Sequence, residues 1–348
     1  MDHEARQQRL QRLLVNQGLT ALLVANETNV TYLTGFTGDS SYLLVTQQDR
    51  VLVSDSRYTT QLSQQCPGLK VHIRPTGESM VTATSKLIKR HKLGDVGVES
   101  YSLSPATFNK LGEVLPKVKL HPTSGLVEGL RIIKDREEIE ATRRAVSLAE
   151  RGFAMLRASL RPDLTEREVA NELEYQLRKM GAKGCSFPPI IAVGEQAALP
   201  HAQPTDKRIG SAPGLLVDWG ADEGLYKSDL TRVLFTAKIP PKLQKIYGVV
   251  LTAQMRAIEA IRPGKLCSEV DAAAREVIDS AGFGRFFGHG LGHGIGLNIH
   301  ESPRLAPGQD IPLKPGMIVT VEPGIYIPNQ RGVRIEDDVL VTKEGCEV

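Results

Sequence analysis

Apolar and polar positions alternate in short blocks along the first third of the chain. The opening stretch MDHEARQQRLQRLLVNQG is charged and helical in pattern, with leucines at 10, 13 and 14. Apolar runs follow at 20–25 (TALLVA), 41–46 (SYLLVT), 50–55 (RVLVSD) and 95–99 (DVGVE), with a helical pattern near 79–91 before the last. Short runs rich in Val and Leu, separated by helical segments, predict an α/β arrangement over about 125 residues. HPTSGLVEGL at 121–130 reads as a connection, with Pro122 and Gly125 as breakers.

Beyond Asp135 the period changes. Ile139, Val146, Ala149, Phe153 and Leu156 fall on one face of a long helix that stops before Pro162, with Thr142 as the polar exception. Thr165 and Glu168 suit a capping box opening a second helix over 165–180, and further helices are expected near 241–261 and 268–280. IIAVG, GLLVDWG, DLTRVLF, MIVTVEPGIYI and GVRIEDDVLV read as strands. The pattern therefore divides into an α/β domain at 1–128 and a mixed helix-and-sheet domain at 134–348, and a length of 348 residues fits two cores.

Composition narrows the partners. A formal net charge of +3 with no lysine-rich tract gives no footprint for nucleic acid. No apolar run approaches the roughly 20 residues needed to span a bilayer, and the first residues lack a signal-peptide core. Cysteines 66, 185, 267 and 346 are widely spaced, without a C-x-x-C pair, as expected of reduced thiols in a cytoplasmic protein.

Two hairpins carry acids inside apolar strands. In GLLVDWGADEGLYKSDLTRVLF (214–235), a two-residue turn at Glu223-Gly224 would set Asp218 directly across from Asp229. Two carboxylates at about 4 Å repel by roughly 4 kcal/mol at an effective dielectric of 20, and a divalent cation between them reverses the sign. At the end of the chain, symmetry about Asn329 brings Glu322 across from Glu336, with an edge or bulge expected at Pro323. A lone carboxylate in either strand would need a partner.

GHGLGHGIGLNIHE (288–301) holds three of the eight histidines, at 289, 293 and 300, among five glycines. The glycines argue against a helix and for close approach of backbone to a site. Neither H-E-x-x-H nor G-x-G-x-x-G is present.

This segment resembles the signature of the proline-specific metallopeptidases, aminopeptidase P and Xaa-Pro dipeptidase (prolidase). ALPHAQPTD (198–206), VDWG, SDLTR (228–232), VEPGIY (321–326) and VRIEDD (333–338) appear in the family's order, so the likeness is strong over 130–348 and looser in NVTYLTGFTG and DSRY. The resemblance implies a small creatinase-like α/β domain followed by a pita-bread α+β catalytic domain, and a homodimer. It implies metal ligands at Asp218, Asp229, His293, Glu322 and Glu336, with His201, His289, His300 and Arg334 facing substrate. Four carboxylates and one imidazole suit two divalent ions, manganese before cobalt or zinc, sharing a water made hydroxide near neutral pH. Glu322 would move the proton, His300 would stabilise the oxyanion, and His201 and His289 would position the peptide. The expected reaction is hydrolysis of the bond preceding proline in dipeptides or short peptides. Xaa-Pro dipeptidase is the leading reading; aminopeptidase P and a non-catalytic binding protein on the same fold are the alternatives.

Overall fold

Ala21–Val24 is buried at all four positions, as befits a central strand covered on both faces. In the computed structural model, which describes residues 1–348, it pairs antiparallel with Tyr42–Thr46 and parallel with Asp95–Glu99. The six-stranded sheet runs Lys70–Arg74, Arg50–Asp55, Tyr42–Thr46, Ala21–Val24, Asp95–Glu99, Lys119–Thr123. Its four inner strands are the apolar runs of the sequence. The two edge strands, KVHIR and KLHPT, are half-exposed and too polar to stand out. This sheet and its helices form the compact unit Met1–Arg131, and Ile132–Val348 forms a second.

In the second unit, helix Arg136–Ser159 opens on a capping box of Asp135 and Glu138, and Glu166–Lys179 on the expected one of Thr165 and Glu168. The expected apolar stripe of the first helix is displaced. Ile139, Val146 and Phe153 are only partly buried, and the covered stripe runs through Ala141, Ala145, Leu148, Ala149, Gly152 and Leu156. Small side chains let the helix lie close against its neighbours, so burial follows the narrow face instead of the bulky one. Phe153 stacks on Trp219 at 4.2 Å.

Strands Ile190–Val193, Gly214–Trp219 and Leu230–Phe235 make a three-stranded antiparallel sheet. Alternate residues serve two cores. Ile191, Val193, Leu215, Val217 and Trp219 pack with helices Arg136–Ser159 and Glu166–Lys179; Ile190, Ala192, Leu216 and Val233 pack with helices Pro241–Ala260 and Cys267–Ser280. The C-terminal hairpin sends its odd positions, Val319, Val321, Ile325, Ile327, Val333, Ile335, Val339 and Val341, into the second of these cores. The two-residue period of a strand leaves Thr320, Glu322, Arg334, Glu336 and Asp338 together on its other face.

The first hairpin corrects the expected register. Glu223 pairs with Tyr226 and Asp222 with Lys227, so the turn is Gly224-Leu225, both at positive φ (55° and 81°). Asp218 consequently lies opposite Thr231, and Asp229 is its diagonal neighbour. A two-residue displacement of the partner keeps both acids on one face. The second hairpin has the expected register, with Ile327 on Arg331, Gly324 on Arg334, Val321 on Asp337 and Ile318 on Leu340, all symmetric about Asn329. Its ladder breaks at Pro323, and Glu322 and Glu336 occupy the break. No helix is long and apolar enough to cross a membrane, and all four cysteines are free.

Candidate metal centre

The even face of the C-terminal hairpin meets the acid-bearing face of the first. Thr231 and Glu336 bridge the two sheets through their backbones, and Thr231 Oγ1 donates to Glu336 Oε2 at 2.6 Å. The Asp229 N–H donates to Asp338 Oδ2 at 3.0 Å. Arg334 Nη2 donates to Asp218 Oδ2 in a close ion pair, while its Nε donates to Thr231 Oγ1 at 3.1 Å. Arg334 Nη1 reaches the Tyr326 hydroxyl at 2.8 Å and the Pro200 carbonyl at 3.3 Å. At 3% exposure, this guanidinium spends its donors inside the protein.

His293 arrives on the short strand Gly292–Gly294, where the flanking glycines earn their place. A Cβ on Gly292 would stand 2.0 Å from the Thr320 carbonyl oxygen, and one on Gly294 2.3 Å from that of Ser302. The Gly294 carbonyl accepts from His293 Nδ1 at 3.0 Å, which puts the ring proton there and leaves Nε2 a free lone pair. That nitrogen points at the acids, 3.4 Å from Glu322 Oε1 and 3.7 Å from Asp229 Oδ2. One donor atom each from Asp229, His293 and Glu336 all lie within 4.8 Å of one another.

The electrostatics of this pocket call for a cation. Four carboxylates, Asp218, Asp229, Glu322 and Glu336, face a single buried guanidinium. Burial, then repulsion from Glu336 and Asp218, lifts Asp229 well above the usual carboxylate range. Burial and then Glu322 do the same to Glu336, and burial pushes Glu322 up to about 7. Asp218 Oδ1 and Asp338 Oδ1 are buried without a hydrogen-bond partner. Hard oxygen donors beside one neutral imidazole are the set that a divalent ion takes, and these residues fit one.

The other candidate histidines, 201, 289 and 300, lie in the same unit as this centre. His289 donates from Nδ1 to the Gly290 carbonyl at 2.8 Å, so Nε2 accepts from the Tyr326 hydroxyl at 3.0 Å. Burial pushes both His289 and His293 down to about 4, which keeps them neutral. His300 is exposed, with its ring edge-on to His293 at 4.4 Å. His201 is exposed too, on the segment whose Pro200 carbonyl Arg334 holds.

Sequence reasoning passed over several residues of this neighbourhood. Thr231, Thr320 and Tyr326 thread hydrogen bonds between the acids and histidines. Arg304 lies directly across the strand pair from His293, exposed and engaged by no carboxylate of the chain, and its charge lowers the pKa of His300 after burial. The only available signal for these was their place inside the quoted motifs or a few residues after them.

Residues 140–343 match metallopeptidase family M24, and residues 6–133 match the creatinase/prolidase N-terminal domain. The chain is a metallopeptidase and belongs to family M24. An uncharacterized peptidase of Bacillus subtilis, YqhT, is 37% identical over 338 residues, covering 97% of this chain and 95% of its own. Among solved structures, an Xaa-Pro dipeptidase from Bacillus anthracis superposes with a TM-score of 0.96 at 38% identity, covering 99% of this chain and 97% of that one. An X-Pro aminopeptidase from Thermotoga maritima gives 0.90 at 35% identity, covering 97% and 96%. The architecture is thus a creatinase-type domain joined to a pita-bread catalytic domain, as the resemblance implied.

Proposed function

We propose that this chain is an Xaa-Pro dipeptidase, and the observation that carries the choice is Arg304. A dipeptide ending in proline presents its free carboxylate a few ångströms from the bond to be cut. An unpaired guanidinium across from His293 supplies a matching charge beside the centre, which a longer peptide would not use in the same way.

Asp218, Asp229, His293, Glu322 and Glu336 would hold two divalent ions, of which manganese suits the donor set. When bound, the ions supply a water that ionises near neutral pH and a Lewis acid for the scissile carbonyl. The chain's own residues do the rest. Glu322, with one oxygen held by Thr320 at 3.2 Å, takes the proton of the attacking water and delivers it to the proline nitrogen as the C–N bond breaks. That nitrogen belongs to a tertiary amide without an N–H, so it must be protonated to leave. His300, neutral and exposed, donates to the developing oxyanion. His289, oriented by Tyr326, and His201 orient the peptide.

Steady-state hydrolysis of Ala-Pro, Gly-Pro and Ala-Pro-Ala by manganese-loaded protein tests this, with Asp229→Ala as the control. Cleavage of both dipeptides and not the tripeptide is expected. In Arg304→Ala, loss of a charge-assisted hydrogen bond worth roughly 1.5–3 kcal/mol raises KM for Ala-Pro about tenfold or more. Faster cleavage of the tripeptide would move the assignment to an aminopeptidase. Silence on all three with metal bound leaves a binding protein on the same fold.

A further inference from the structure

Helix Cys267–Ser280 carries an ion pair that the chemistry above leaves unused. Asp271, 1% exposed, meets Arg275 one turn later through two contacts of 2.8 Å, Nε to Oδ2 and Nη2 to Oδ1. Both side chains also reach past each other. Asp271 Oδ1 accepts the Leu291 N–H at 3.0 Å. Arg275 donates from Nη1 to the Phe287 carbonyl at 3.1 Å and from Nη2 to the His289 carbonyl at 2.8 Å. Its guanidinium lies 4.3 Å over the Phe287 ring, which meets the His289 ring edge-on at 5.1 Å.

The pair thereby holds three alternate residues, 287, 289 and 291, along one edge of the glycine-rich segment. Leu291 passes the constraint on, because its carbonyl accepts the Glu322 N–H at 2.9 Å. A segment with so many glycines has the most conformational freedom to lose on folding, so its order must come from outside anchors. Burying an ion pair on a core-facing helix contributes little to stability compared with apolar side chains of the same volume. Its two-pronged geometry instead fixes position.

We propose that Asp271 and Arg275 are positioning residues: they fix the backbone of the glycine-rich segment so that the His289 ring meets substrate and Glu322 keeps its place in the centre. What His289 meets rests on the Xaa-Pro reading; the clamp itself does not.

Arg275→Lys keeps a cation beside Asp271 and loses the fork onto the two carbonyls. In the manganese-loaded full chain, KM for Ala-Pro is expected to rise about tenfold with kcat within about twofold, the scale of outer-shell substitutions. In the metal-free full chain, the imidazole 15N signals of His289, assigned by their loss in His289→Gln, are expected to shift as well. Asp271→Asn with Arg275→Gln keeps an acceptor for the Leu291 N–H, removes both charges, and is expected to change KM and the signals in the same direction. A lowered unfolding midpoint with parental KM and parental His289 signals would make the pair a structural strut and overturn the proposal. If the parent cleaves no Xaa-Pro dipeptide, the substrate reading fails separately and the His289 signals decide alone. Shifted signals in both variants then uphold the clamp, and unshifted signals overturn it.

Discussion

Arg334 is the counter-charge around which the acids of the centre are arranged, and one guanidinium is too little for four carboxylates. The consequence appears in the pH dependence of the metal-free protein. Burial pushes Glu322 up to about 7 from an ordinary value of 4.5, and Asp338 up to about 8 from 3.8. Over those intervals the folded chain holds protons that the unfolded chain has released, so stability falls as pH rises through them. The neutral His289 and His293 act in the opposite sense up to their ordinary value of 6.5, but Glu322, Asp338, Asp229 and Glu336 outnumber them, so metal-stripped protein should unfold at a lower temperature at about pH 7.5 than at about pH 5.5. With manganese the order should reverse, because protons compete with the ion for the same oxygens. Thermal scans at both pH values check this, and a metal-stripped protein that gains stability toward pH 7.5 contradicts it. The acids were legible in the sequence because a carboxylate inside an apolar strand demands an explanation. Thr231, Tyr326, Asp271, Arg275 and Arg304 were not, since a single polar residue has no period, and only the folded chain shows what it touches.

Strand registers decide which of these side chains meet, and the two hairpins were unequally readable. Around Asn329, at φ 56°, the symmetric pairing holds from Ile327–Arg331 out to Ile318–Leu340. In the first hairpin the turn is Gly224-Leu225, and a leucine at φ 81° is a conformation that local sequence rules argue against. Pairing along Leu230–Phe235 with Gly214–Trp219, with apolar partners on both faces, outweighs that local preference. The strand carrying His293 is equally constrained. Gly292→Ala would drive a Cβ against backbone, not against a flexible side chain, at an expected cost of about 1–3 kcal/mol. Urea unfolding of the metal-free variant measures it, with weaker manganese binding alongside, and an unchanged midpoint would show that the strand yields.

Across the whole chain, every candidate donor, together with His201, His289 and His300, belongs to the unit Ile132–Val348, which has its own two cores. Residues 132–348 expressed alone should fold and bind manganese, as calorimetric titration can test; a folded fragment that binds none would show that the first 131 residues are needed. The sequence changes period near 125–133, whereas the edge strands of the first unit were hidden by their polarity. The odd-and-even division of the C-terminal hairpin also bears on how such a gene can drift. Between Ile318 and Val341 eight odd positions, from Val319 to Val341, make core, while Thr320, Glu322, Arg334, Glu336 and Asp338, at even ones, face the candidate centre. Exchanging one aliphatic residue for another at an odd position leaves the even face as it was. Inserting or deleting a single codon inside a strand swaps the two roles for everything beyond it. Descendants of this chain should therefore accumulate aliphatic exchanges at the odd positions, and gain or lose length only at the tip around Asn329.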